Sequence, residues 1–254
     1  MFCTHDHHIS AGPCRCRDLL TVGRRGFLAG VTALAAAGAR ADGVAPRRID
    51  VHHHIVPPTW LAALRQAGLD NPPLSGWTPQ RSIENMDEAG IATSIASPTT
   101  PQVGFLPAGD AARIARESNE YAKRLMADHA GRFGVFAMLP MPYVDESLKE
   151  IEYAFDVLKV DGIGMMTSYG DKWLGYPQFA PVFDELNRRK ATVYTHPTSA
   201  NCYVNLVQGV SDATVEWGTD TTIHRQPHLQ RRRAAFRRCQ LHLLAWRRRA
   251  YCGR

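Results

Sequence analysis

Four histidines carry the chemistry this sequence advertises. His52, His53 and His54 close the run "RIDVHHHI", and His196 closes "KATVYTH". Side chains alternate along a strand, so His52 and His54 share one face and His53 takes the other. Two imidazoles one pleat apart on a rigid strand are half of a metal site. His196 would supply a third nitrogen if the fold brings the two strand ends together. Taken alone, a strand-end histidine is more often a hydrogen-bonded structural residue; the pair and the single residue together point to metal chemistry. An ion held there would polarise a carbonyl or carboxylate and activate bound water. Asp50 reads equally as an orienting group for the strand end and as a surface carboxylate. His129, near a helix end, reads as a structural residue that complements the helix dipole.

Five short apolar runs could position these residues as strands: 48–55, 90–97, 132–139, 161–168 and 190–196. Helical patterns separate the later ones. Asp110 is expected to cap a helix whose Ile114, Tyr121 and Leu125 share a face, with Gly131 as its stop. Asp145 is expected to cap a second helix bearing Leu148, Ile151, Phe155 and Leu158, and 179–190 reads as a third. Repeated strand–helix units imply parallel strands, in an open doubly wound sheet or in a barrel. No Gly-rich phosphate loop follows any strand, which argues against a nucleotide-binding sheet. In a barrel the C-terminal strand ends ring one mouth, and strands one and five lie across it from each other. His196 would then face the His52/His54 pair.

The chain's 254 residues suffice for one barrel, and 44% apolar with 21% charged residues is ordinary for a globular protein. Its net charge of +6 is unevenly spread: residues 221–254 hold ten arginines and no Asp, Glu or Lys, so the rest is at −4. A basic partner-binding surface therefore does not extend over the body. The cysteines, Cys3, Cys14, Cys16, Cys202, Cys239 and Cys252, form no disulfide pattern. "TVGRRGFLAGVTALAAAGARADG" has a basic start with the twin arginine Arg24-Arg25, a short apolar run and the small-x-small end Ala39-Arg40-Ala41. It resembles a twin-arginine export signal occupying 1–41, which predicts a periplasmic or secreted protein with no stable membrane association after cleavage. Cys3, His5, His7, His8, Cys14 and Cys16 match no zinc-module spacing and read as part of that leader.

"IDVHHHIVPPTW", "GRFGVFAMLPMP", "DGIGMMTSYGDKWLG" and "YTHPT" together resemble the amidohydrolase-related family, in the branch that includes aminocarboxymuconate semialdehyde decarboxylase. The resemblance runs from about 48 to 222. It implies an α/β fold, here an incomplete TIM (β/α)8 barrel with about five of eight strand–helix units, over 42–222. It implies a divalent metal, zinc in most of the family, with His52, His54 and His196 as ligands and His196 also in the catalytic set. The implied activity is hydrolysis or non-oxidative decarboxylation of a small carboxylated molecule. Small-molecule substrates are the expected partners; intact homologues are expected to be oligomeric, and no specific nucleic acid is expected.

The family's "SHGGG"-type histidine after strand six and its Asp after strand eight have no counterpart here, and strands six to eight are expected to be missing. One reading-frame slip accounts for this. Leu241–Arg249, written in permitted codons and read one base forward, becomes Phe-Ile-Phe-Ser-His-Gly-Gly, and arginine runs become glycine runs. Residues 223–254 are therefore read as an out-of-frame tail. Two other readings stay open: an inactive fragment of such an enzyme, and a binding module whose tail, with Trp246 and Tyr251, holds nucleic acid or a membrane surface.

Overall fold

The computed structural model describes residues 48–198 and, by backbone alone, 240–243. All of them lie in one compact unit, Pro46–Arg254. The expected leader, all six cysteines and most of the arginine-rich stretch fall outside the described residues.

The five expected runs are strands, each trimmed by one to three residues. In chain order they are β1 (Arg48–His54), β2 (Ile91–Ser97), β3 (Phe133–Met138) and β4 (Gly162–Met166), then β7 (Thr192–His196) after a small antiparallel hairpin, β5 (Ser168–Tyr169) and β6 (Lys172–Trp173). The five stand side by side, every neighbouring pair parallel. A sixth parallel strand, β8 (Gln240–Leu243), pairs with β7 from Thr192↔Gln240 to Thr195↔Leu243. This corrects the expectation that nothing follows strand five. The apolar alternation of Gln-Leu-His-Leu matches a strand's period of two, and β7 offers it an unpaired edge. β3 and β4 are buried along their whole length, as befits central strands of a parallel sheet covered on both faces.

The described residues hold six α-helices: α1 (Pro58–Gln66), α2 (Pro72–Ser75), α3 (Pro79–Glu88), α4 (Ala108–Asp128), α5 (Val144–Tyr153) and α6 (Ala180–Arg188). The last three are the expected ones, but their starts differ. Asp110 and Asp145 sit inside the first turns of α4 and α5 rather than at their caps, because Pro107 and Tyr143 already leave the helical region one residue before each helix begins. Acidic side chains there still favour the helix dipole. Gly131 ends the α4 segment at φ +78° as expected. α1–α3 went unread. α1 starts on Pro58 and buries Trp60, Ala63 and Leu64. α3 is capped by the Thr78 side chain, which accepts from the Arg81 backbone N–H, and it buries only Ser82 and Met86. None of the helices among the described residues is long and apolar enough to cross a membrane.

A polar pin fixes α4 and α5 to β3. Asn119 accepts from the Met138 backbone N–H and donates to its carbonyl, and also donates to Glu150, which takes the Arg116 guanidinium at 2.7 Å. Glu150 is 3% exposed, and burial raises its carboxyl above the ordinary carboxylate value. Its partners satisfy it in the dry interior, which an unpaired carboxylate would not survive.

Gly162 marks the tightest point under the site. A Cβ there would stand 2.5 Å from the Thr192 carbonyl and 3.0 Å from the Phe136 ring. The Gly162→Ala variant should therefore force β4 from β7 and lose about 1–3 kcal/mol, read as a lowered urea midpoint.

Candidate metal centre

The C-terminal ends of β1 and β7, with three strands between them in the sheet, curve until their histidines touch. His52 Nε2 lies 3.0 Å from His54 Nε2, and His196 Nε2 lies 3.2 Å from the same atom. The three nitrogens form one cluster, all within 4.8 Å of one another. The structure thus brings together the three residues the sequence singled out. His53 points the other way, as strand alternation requires, and meets Ser82 on α3. Asp50 proves to be an orienting group: its Oδ1 accepts the His52 backbone N–H at 2.9 Å, and its Oδ2 lies 3.4 Å from His53 Nδ1. His129 is structural, with its backbone N–H on the Leu125 carbonyl and its ring edge-on to Phe133.

The outer nitrogens of two ligands are pinned by carbonyls. His54 Nδ1 faces the Ser97 carbonyl at 3.2 Å, and His196 Nδ1 faces the Pro197 carbonyl at 2.6 Å. A carbonyl can only accept, so each Nδ1 carries the proton and each Nε2 is left bare. Two bare nitrogens then face each other at 3.2 Å with no hydrogen to share. Protonation does not relieve this, because burial first, and neighbouring histidine charge as well, depress these imidazoles: His54 to about 3 and His196 to about 4. His52 is lowered too, chiefly by burial.

A divalent ion suits the two close separations of this arrangement, with His52 and His196, within 4.8 Å of each other, on either side of His54. At a metal–nitrogen distance of about 2.1 Å, ligand nitrogens stand about 3.0 Å apart at right angles and about 3.4 Å apart at the tetrahedral angle. The two measured separations fall in that interval. Carbonyl bonds on the far nitrogens are the usual outer support of metal-bound histidine. Among the described residues no carboxylate joins the cluster, so three nitrogens leave coordination positions open, as in catalytic rather than structural sites. Tyr194, two residues before His196 on β7, stacks on Phe136 at 5.2 Å and stands 6.0 Å from the His52 ring. Its place on the inward face was legible from period-two alternation with His196, yet the sequence reading passed over it.

The buried histidines set an acid limit on stability. Below about pH 6.5 the unfolded chain binds protons that folded His54 and His196 refuse. The urea midpoint of the metal-free chain should fall as pH drops from 6.5 toward 4, and a variant with all three ligands replaced by Gln should lose that slope. Glu150 titrates in the opposite sense in both proteins, so the comparison isolates the histidines.

An open parallel sheet with metal-ready histidines at its carboxyl edge defines a class, and the comparisons agree with it. The chain belongs to the amidohydrolase family, whose model, described as Amidohydrolase, matches residues 49–241. It is 42% identical over 160 residues to Decarboxylase yanB of Aspergillus niger, covering 60% of this chain and 44% of that one. It is 38% identical over 160 residues to 6-methylsalicylic acid decarboxylase of Penicillium expansum, covering 59% and 48%. The chain therefore spans about half the length of the curated relatives it matches. Among solved structures, 5-carboxyvanillate decarboxylase LigW from Sphingomonas paucimobilis superposes with a TM-score of 0.69 at 18% identity, over 78% of this chain and 67% of that one. Dihydroxybenzoic acid decarboxylase from Polaromonas sp. JS666, solved with manganese and the inhibitor 2-nitroresorcinol, superposes with a TM-score of 0.62 at 18% identity, over 77% and 64%.

Proposed function

We propose that this chain carries the metal half of a decarboxylase for hydroxylated benzoic acids, releasing carbon dioxide without an oxidant. The observation that carries the metal is the pair of bare nitrogens, His54 Nε2 and His196 Nε2, facing each other at 3.2 Å. The substrate class rests on the named relatives, decarboxylases among which one acts on 6-methylsalicylic acid. His52, His54 and His196 would hold the ion, which when bound supplies a Lewis acid for a carboxylate and its neighbouring hydroxyl. The protein's own part is to hold the ligands in register through the Ser97 and Pro197 carbonyls and to keep them unprotonated by burial. In the overall reaction a proton adds to the ring carbon, the carbon–carbon bond breaks, and its electron pair stays on the ring. His196, at the end of β7, would serve in the catalytic set as well as hold the ion. Manganese is as good a candidate as the zinc expected from the family resemblance.

The test is product analysis: chain loaded with Mn²⁺ or Zn²⁺ is given 6-methylsalicylate, other hydroxybenzoates, and a panel of amides and lactones. Release of carbon dioxide supports the decarboxylase reading, and hydrolysis of the amides or lactones alone would overturn it. A second reading, a metal-binding but inactive fragment, is favoured by the cluster's lack of a carboxylate among the described residues. Bound metal with no turnover of any substrate supports it.

Two further proposals concern the flanks. Residues 1–41 direct twin-arginine export, tested by whether changing Arg24-Arg25 to Lys-Lys retains the protein inside the cell. Residues 223–254 are read out of frame, tested by the nucleotide sequence from codon 214 onward. A shifted frame that runs on through a strand ending in Asp supports the slip, and one that meets an early stop sinks it.

A further inference from the structure

We propose that Asp50, His53 and Ser82 form a relay that positions the metal ligand His52, a role that rests on the metal-centre reading above. The need for such a device is visible in the backbone. β1 pairs with β2 in irregular register between Asp50↔Ser94 and His53↔Ala96, where three steps on one strand oppose two on the other. A bulge of this kind re-aims a side chain but leaves backbone groups without their ladder partners. The His52 backbone N–H lies within this stretch, and Asp50 Oδ1 takes it at 2.9 Å.

Every member of the relay has one consistent direction. Asp50 can only accept, and its Oδ2 stands 3.4 Å from His53 Nδ1, a close charge approach rather than a hydrogen bond, so its negative charge favours the proton on Nδ1. His53 Nε2 is then an acceptor and receives the Ser82 hydroxyl at 2.9 Å. With its proton spent, Ser82 Oγ accepts the Trp77 indole N–H at 2.9 Å. The path runs from the segment before α3, through α3, to the bulge that aims His52. Asp, His and Ser in this order also describe a nucleophilic triad, but Ser82 is 3% exposed and its Oγ is occupied by the indole, so position rather than attack is its use here. His53 lies on the face opposite the ligands, so the relay steers the metal site from behind without touching it.

Four variants test this: Asp50→Ala, Asp50→Asn, Ser82→Ala and Ser82→Thr. Each is read by Mn²⁺ titration, by hydrogen exchange of the His52 amide, and by the His53 tautomer from nitrogen-15 shifts. Asp50→Ala and Ser82→Ala should weaken Mn²⁺ binding by about 10–100-fold, the range seen when supporting partners of metal ligands are removed. They should also speed exchange at His52. Asp50→Asn keeps an oxygen for the His52 N–H and should hold most of the affinity while moving the His53 proton to Nε2. Ser82→Thr should behave as the parent. Folded Asp50→Ala and Ser82→Ala proteins with parental Mn²⁺ affinity and parental His52 exchange would overturn the relay. If the parent chain itself binds neither Mn²⁺ nor Zn²⁺, the metal reading has failed on its own; unchanged His52 exchange in Asp50→Ala and Ser82→Ala would then sink the relay, and faster exchange would keep it.

Discussion

Replacing His54 by alanine should lower divalent-metal affinity by at least about 100-fold, more than the loss of either other ligand. Removing a mere supporting partner already costs about 10–100-fold, and His54 is a direct ligand at the centre of the set. Its Nε2 lies within 3.2 Å of both His52 Nε2 and His196 Nε2, so its loss leaves two ligand nitrogens on separate strands without the one that joins them. The substitution removes a ring whose bond to the fold outside the cluster is to the Ser97 carbonyl, so the metal-free fold should survive it. Calorimetric titration of Mn²⁺ and Zn²⁺ against parent, His52→Ala, His54→Ala and His196→Ala proteins checks the ranking. Equal affinities across the three variants would show that His54 is not the hub.

Trp60→Ala should cost about 3–5 kcal/mol, a large share of the 5–15 kcal/mol that holds a typical domain together. Trp60 is fully buried in α1, and its indole donates to the Gln102 carbonyl at 2.6 Å. Gln102 sits at φ +52°, itself fully buried, with its amide on the Gly164 carbonyl of β4. Close by in sequence, the Thr100 hydroxyl meets that of Thr198, two residues past His196. Losing the indole therefore leaves a large cavity and frees the loop that ties β2 to the end of β7. Urea unfolding should show a much lowered midpoint, and Trp60→Phe should recover most of it but not the indole hydrogen bond. A midpoint within experimental error of the parent would contradict this packing.

The strands and the three ligands were legible because both obey short, strict periods. β-branched runs of five to seven residues announce strands, and His-x-His at a strand end places two nitrogens on one face regardless of what surrounds them. The helices before β2 obey a weaker rule. α1 begins on proline and its stripe of Trp60, Ala63 and Leu64 covers barely more than one turn, while α3 buries only Ser82 and Met86, so neither presents the long apolar stripe that betrays an amphipathic helix. Glu150 and Asn119 face the core as polar side chains, and their hydrogen bonds to each other, to Arg116 and to the Met138 backbone, set by tertiary packing, make that tolerable. The caps of the ligand histidines were invisible for a simpler reason: Ser97 and Pro197 act through backbone carbonyls, which leave no mark on residue type. β8 shows the converse, since four residues in a stretch read as out of frame still pair once β7 offers an edge.

The central claim is that His52, His54 and His196 hold one divalent ion between them. Its most direct test is the metal content of the purified chain after equilibration with Mn²⁺ or Zn²⁺, measured beside a variant with all three histidines changed to Gln. The predicted result is one ion per parent chain and none tightly held by the variant. Equal metal content in the two proteins, or none in the parent at saturating metal, would contradict it.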